Sequence, residues 1–247
     1  MKKYSYREVV DSYPKDHLES LWSKWVPRQL SFPIAFLLVN IGCSAWLASV
    51  ISIIFALAGC FFLCLPSSAM RWVGIVFLIL WHTFDCVDGT IARVTKKASS
   101  MGEFIDAQSG YTVMAFVFFS VGMAAFNTRS LIFSDANKYF LIIIGAISSI
   151  SNITARLINS KYAFCDLKKC YIKHLDYNVN EANERPTTTF AKIRVFADYH
   201  LGLVGVFIPL LILCQFVEVY DIVTIAYCLY SIAGFVFASA FYAIKSK

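Results

Sequence analysis

Charge is scarce in this chain. Of its 247 residues only 15% are Asp, Glu, Lys or Arg, while 58% are hydrophobic; a soluble globule has about 25% and 45–50% respectively. So few charged side chains cannot clothe a water-soluble surface, and the mean hydropathy of +0.63 agrees. A disordered chain and a nucleic-acid-binding arm are excluded on the same ground, since both depend on dense charge. A disulfide framework is missing too. Of eight cysteines, Cys43, Cys60, Cys64, Cys214 and Cys228 fall in apolar stretches, and Cys86 lies between two aspartates. Only Cys165 and Cys170 occupy a polar stretch, so no pairing scheme is visible. No signal peptide is expected either: Met-Lys-Lys is followed by Tyr, Arg, Glu, Asp and Pro where an apolar run should stand. What remains is the composition of a membrane protein.

Residues 29–70 carry no charge at all, and as one helix they would reach roughly 63 Å. A hydrocarbon core of about 30 Å needs only ~20 residues, so the stretch must break. Asn40-Ile41-Gly42 is the natural break, with Ser44 placed to cap the next helix. This gives a short shallow element at 30–41 and a first span at 44–65, ended by Pro66. Further spans are expected at 69–94, 102–126, 138–158, 199–217 and 222–244, the third opened by a Ser100–Glu103 capping box. Residues 4–28 alternate Tyr, Val, Leu and Trp with charges, which suits an amphipathic helix on the membrane surface. The fold class is therefore an all-α integral membrane protein with six transmembrane helices behind an N-terminal surface helix. In domain terms, residues 1–28 are a juxtamembrane segment, and 29–247 are one transmembrane domain with a polar loop at 159–197.

Basic residues test the layout. Nineteen fall in the N-terminal segment, the loop after the second span, the 156–197 stretch and the tail, against three (Arg71, Arg129 and Lys138) on the other side. Six spans with both termini cytoplasmic follow from that asymmetry.

Three acids interrupt the apolar pattern. Asp85 and Asp88 continue one apolar helix, and Asp106 lies one turn into the next. Each charge near a helix centre costs about 2.5–3.5 kcal/mol on insertion scales, so compensation is required. Snorkelling Arg93 and its neighbouring lysines would supply part of it, and a divalent cation on carboxylate oxygens would supply more. Asp85, Asp88, Gly89 and Ala92 share one helical face at i, i+3, i+4 and i+7, and Gly102 and Asp106 share another. A short turn joins the two helices, so they are expected to pack as antiparallel neighbours with their acidic faces meeting. Small residues among the acids let a flat ligand or second backbone approach.

The run Asp85-x2-Asp88-Gly89-x2-Ala92-Arg93-x8-Gly102-x3-Asp106 resembles the signature of the CDP-alcohol phosphotransferases. The resemblance fixes seven residue types at set spacing, and the surface helix and six spans around it agree. It implies an integral membrane enzyme that cleaves a CDP-alcohol, commonly CDP-diacylglycerol. Such an enzyme passes the phospho-alcohol group to an acceptor hydroxyl and releases CMP. It further implies that Asp85, Asp88 and Asp106 hold magnesium or manganese. Gly89, Ala92 and Gly102 would line the nucleotide pocket, and Arg93 would hold nucleotide or phosphate. Family members often dimerise, so a homodimer is an expectation as well.

One position departs from the family pattern. Where the family has a fourth aspartate, with metal-binding and general-base roles, this chain has Gly110. Losing a general base typically costs about 10²–10⁴-fold, which leaves three readings open. Metal electrostatics could sustain activity, His82 or Glu103 could serve as base, or the chain could be a degenerate member that binds nucleotide or lipid or serves as a partner subunit. A carrier that binds a cation through its intramembrane acids is a third class. The basic 156–197 stretch would draw an anionic acceptor such as a phosphorylated polyol or sugar, with Arg156 and Arg194 best placed to meet it. No nucleic acid is expected as partner. The inner face of a bacterial cytoplasmic membrane is the expected location.

Overall fold

Lipid offers no water to an exposed backbone N–H or C=O, so a spanning chain satisfies these groups within helices. The computed structural model describes residues 3–14, 19–172, 196 and 199–245, which are helical with no strand among them. The N-terminal segment contains two short helices, α1 (Tyr6–Asp11) and α2 (Leu21–Trp25), instead of one continuous surface helix over 4–28. Pro14 explains the first stop, because a proline disfavours helical backbone in the residue before it. Ser20 then starts α2 by accepting from the Ser23 amide at 3.1 Å. Helix α3 (Pro27–Asn40) follows with Pro27 in its first turn, where the missing N–H is harmless.

The expected break follows α3. Gly42 adopts φ 86°, a left-handed backbone that glycine takes without cost. Asn40 has a further role, since its Oδ1 accepts the Tyr4 amide at 2.9 Å and its Nδ2 donates to the Tyr4 carbonyl at 3.1 Å. That pair pins the start of the chain to the end of α3. Ser44 caps α4 (Ala45–Leu63) through the Leu47 amide at 3.2 Å.

The longer helices are α5 (Ser68–Thr95), α6 (Ser100–Phe126), α7 (Tyr139–Ile172) and α9 (Tyr220–Lys245), with α8 (Ile208–Val217) before the last. Five of them, α4, α5, α6, α7 and α9, are long and apolar enough to cross a membrane among the described residues. The chain is thus an integral membrane protein. In place of the expected span at 199–217 stands a shorter apolar helix, Leu203–Val217. Its first part is a π-turn, Leu203–Phe207, in which Gly205 leaves helical geometry.

Two boundaries differ from expectation. Ser99, one residue before Ser100, caps α6 by accepting from the Gly102 amide at 3.1 Å, so Glu103 is freed from the predicted capping box. Helix α7 continues to Ile172, so residues 159–172 of the expected polar loop are helical. Arg194 lies outside the described residues.

Packing also differs at the point that matters most. Helices α5 and α6 are joined by a tight turn, with Lys96 left-handed at φ 54° and the Lys97 amide returning to the Ala92 carbonyl at 3.1 Å. They nevertheless touch little, because α4 lies against both and holds them apart. Helix α7 closes on α6 and α9. The core runs through Ala56, Leu63, Ile75, Leu78, Trp81, Val117, Phe118, Phe207 and Tyr227. Burial against lipid gives such contacts little hydrophobic drive, so close approach has to supply the attraction. At the α6–α7 crossing Gly122 and Gly145 meet directly: a Cβ on either would lie 2.6 Å from a backbone oxygen of the other helix.

Candidate active site

The cleft left between α5 and α6 is a cavity of about 1240 Å³ at the end of the bundle where the two helices are joined. One wall is α5, which presents Asp85, Asp88, Gly89, Ala92 and Arg93; the opposite wall brings Gly102, Glu103 and Asp106. Separation of the helices, rather than their contact, is what makes room for a ligand. Below the cavity a polar clasp joins three helices. Ser52 and Ser109 hydroxyls bond at 2.8 Å, Trp81 Nε1 donates to Ser109 at 3.0 Å, and Ser52 also donates to the Trp81 carbonyl at 3.2 Å.

Three of the sequence-predicted acids therefore converge. Asp85 and Asp106 approach within hydrogen-bonding reach of each other across the gap. Asp88 is buried and accepts a hydrogen bond from Ser49 of α4. The ion pairs among the described residues, Arg7–Asp11, Arg28–Glu19 and Lys138–Asp135, involve none of these three aspartates. Carboxylates clustered in an apolar bundle without a paired cation have the donor chemistry of a hard divalent ion. No three His, Cys, Asp or Glu side chains among the described residues stand close enough to share one ion as placed.

Gly89 matters for space. A Cβ there would come 3.2 Å from Arg93 Nη1, so the absence of a side chain lets the Arg93 guanidinium fold back along α5. Arg93 donates to Thr90 Oγ1 at 3.3 Å and otherwise faces the cavity.

The two candidate bases are separated by the fold. Glu103 lines the cavity. His82 does not: it is 3% exposed, with Nε2 3.1 Å from the Ser23 hydroxyl. Gly110 is outside the cavity lining, and a Cβ on it would meet nothing within 4 Å. Arg156 lies in a separate, smaller cavity of about 350 Å³ beside Asn152 and Asn159, between α6, α7 and α9.

Residues that sequence reasoning passed over complete the site. Ser44, Ser49, Tyr4 and Arg28 line the cavity. A serine in an apolar span is a weak signal, and Arg28 reads in sequence as one more positive-inside charge.

The family model for CDP-alcohol phosphatidyltransferases matches residues 43–226, from the turn that opens α4 into α9. That span includes all three cavity aspartates. The chain belongs to the CDP-alcohol phosphatidyltransferase family. No curated protein sequence matches it significantly. Membership carries phosphotransfer from a CDP-alcohol in lipid synthesis and the divalent-metal dependence general to the family. A CDP-alcohol phosphatidyltransferase takes a CDP-alcohol donor and an alcohol acceptor, and a cavity cut into an apolar bundle is where lipid and polar side chains can meet. Segments α1, α2 and α3 lie outside the matched region, yet Tyr4 and Arg28 contribute to the cavity.

Proposed function

We propose that this chain cleaves a CDP-alcohol, with CDP-diacylglycerol as donor, and transfers the phospho-alcohol group to an acceptor hydroxyl with release of CMP. The observation that carries the reading is the convergence of Asp85, Asp88 and Asp106 on one cavity whose walls are thinned by Gly89, Ala92 and Gly102. Asp85, Asp88 and Asp106 would hold magnesium or manganese. A divalent ion bound there neutralises charge on the diphosphate as CMP departs. Gly89, Ala92 and Gly102 would give the nucleotide room, and Arg93 would hold its phosphate. The acceptor oxygen attacks phosphorus, its proton passes to a carboxylate, and the bond to CMP breaks. Glu103 is the better-placed proton acceptor, because it faces the cavity while His82 is buried against Ser23.

In the membrane, Leu203–Val217 would supply a sixth crossing beside the five longer spans, so that residues 29–247 form one catalytic domain. The positive-inside asymmetry supports a layout with both termini and the cavity on the cytoplasmic face, and a bacterial cytoplasmic membrane is the proposed location. Arg156, Arg194 and the basic residues around them would draw an anionic acceptor such as a polyol phosphate, and a homodimer is the expected assembly. Glycine at position 110, where the family has its fourth aspartate, favours a second reading, a member that binds its ligand without turnover.

The test is CMP release by purified protein in nanodiscs with CDP-diacylglycerol, manganese or magnesium, and pooled polyols, polyol phosphates and amino alcohols. Metal-dependent CMP together with a new phospholipid supports the transferase. CDP binding with no CMP from any CDP-alcohol in any pool would select the binding protein instead.

A further inference from the structure

The cavity has a cationic corner that the family match does not cover. Arg28, at the start of α3, is only 7% exposed yet lines the cavity with the three aspartates. Its guanidinium is fixed on three sides. Nε and Nη2 both donate to Glu19 Oε1, Nη1 donates to the Cys86 carbonyl at 3.3 Å, and the group stacks over the Tyr13 ring at 4.5 Å. Arg93 approaches the same ring at 5.8 Å. Two guanidinium groups thus approach one aromatic ring. Burial, and then Glu19, push the Tyr13 phenol up to about 12, so the ring stays neutral and adds no compensating charge.

The arrangement costs more than a structural ion pair needs. A guanidinium has five N–H donors, and the contacts to Glu19 and Cys86 use three, leaving one on Nη1 and one on Nη2. Glu19 balances one of the two arginines, and Arg93 has no ion-pair partner among the described residues. A planar donor fork held rigid beside an open cavity is the geometry that suits phosphate oxygens.

We propose that Arg28, held by Glu19, Tyr13 and the Cys86 carbonyl, is a second phosphate-binding arginine of the CDP-alcohol site, sharing the Tyr13 ring with Arg93. The N-terminal segment is then part of the active site, and it recognises the charged diphosphate rather than the cytosine. This rests on the cavity being the CDP-alcohol site.

The experiment is equilibrium binding of CDP and of cytidine, in magnesium, to the full chain in detergent. CDP tests the phosphate contact, and cytidine reports the rest of the pocket. Arg28→Gln is expected to weaken CDP by about tenfold or more, the usual size of a charge-assisted contact, while cytidine stays within about twofold. Because that variant strands Glu19, the pair Glu19→Gln with Arg28→Gln is measured beside it and is expected to give the same result. Glu19→Gln alone keeps the guanidinium and an oxygen to accept its N–H groups, so it should lose less CDP affinity than Arg28→Gln does. Equal losses for CDP and cytidine would reduce Arg28 to a structural role, and unchanged CDP affinity would show that the guanidinium does not meet the ligand. Either outcome overturns the inference and leaves the site standing. Wild-type protein that binds no CDP would overturn the site itself.

Discussion

Replacing Ser49 by alanine tests how the acidic cavity is held in place. Ser49 is 2% exposed and Asp88 is 5% exposed, and their hydrogen bond ties α4 to α5 at the cavity wall. A hydrogen bond to a charged group contributes about 1.5–3 kcal/mol. Loss of an outer partner of a metal-ligating carboxylate typically weakens the metal about 10–100-fold, which is about 1.4–2.7 kcal/mol at about 1.36 kcal/mol per decade. The two routes agree. Folding should change little, because the variant removes one oxygen and alanine recovers up to about half a kcal/mol of helix propensity. The assay is the manganese concentration giving half-maximal CMP release, with direct manganese binding and thermal unfolding measured in parallel. Ser52→Ala is the control. That hydroxyl bonds Ser109 and the Trp81 carbonyl, not an aspartate, so it should cost about 1 kcal/mol of stability and leave metal affinity unchanged. The reasoning fails if Ser49→Ala leaves manganese affinity intact, or if Ser52→Ala lowers it equally.

Other expectations follow from the same geometry. Gly145→Leu would force a side chain toward the Phe118 carbonyl, which lies 2.6 Å from the Cβ position. It should destabilise the α6–α7 crossing by about 1–3 kcal/mol, read as a lower unfolding midpoint in detergent. Gly110→Asp meets nothing within 4 Å of its Cβ, so its unfolding midpoint should match wild type. With Glu103 already facing the cavity and Gly110 outside its lining, CMP release should stay within about tenfold of wild type; a rise of about 10²–10⁴-fold, the worth of a general base, would refute the role given to Glu103. Glu103→Gln should lower turnover by about 10²-fold or more with the fold intact. By contrast, His82→Asn, which disturbs the Ser23 and Trp81 contacts away from the cavity, should lower stability more than turnover.

The sequence carried the spans and the acids well, because both rest on local rules. A charge-free stretch longer than any bilayer had to break, and it did so at Gly42 and Ser44. Helical spacing put Asp85, Asp88, Gly89 and Ala92 on one face, and that face does line the cavity. What remained hidden depends on which helix sits beside which. The short turn after Thr95 suggested that α5 and α6 pack together, yet α4 holds them apart and so creates the cavity. The same long-range packing brings Ser49 to Asp88 and Arg28 to Cys86, separations of 39 and 58 residues that no periodicity reveals. His82 was the opposite case. One turn before Asp85 it looked available for catalysis, but α2 covers it with Ser23.

The central claim is that the three cavity carboxylates perform a metal-dependent transfer from a CDP-alcohol. The most direct measurement compares CMP release from CDP-diacylglycerol by wild-type protein and by Asp85→Asn, Asp88→Asn and Asp106→Asn, each with unfolding midpoints recorded. The account predicts that the wild type releases CMP only with magnesium or manganese, and that each variant folds but releases none. Full turnover in any one of the three variants, or wild-type turnover unaffected by a chelator, would contradict it.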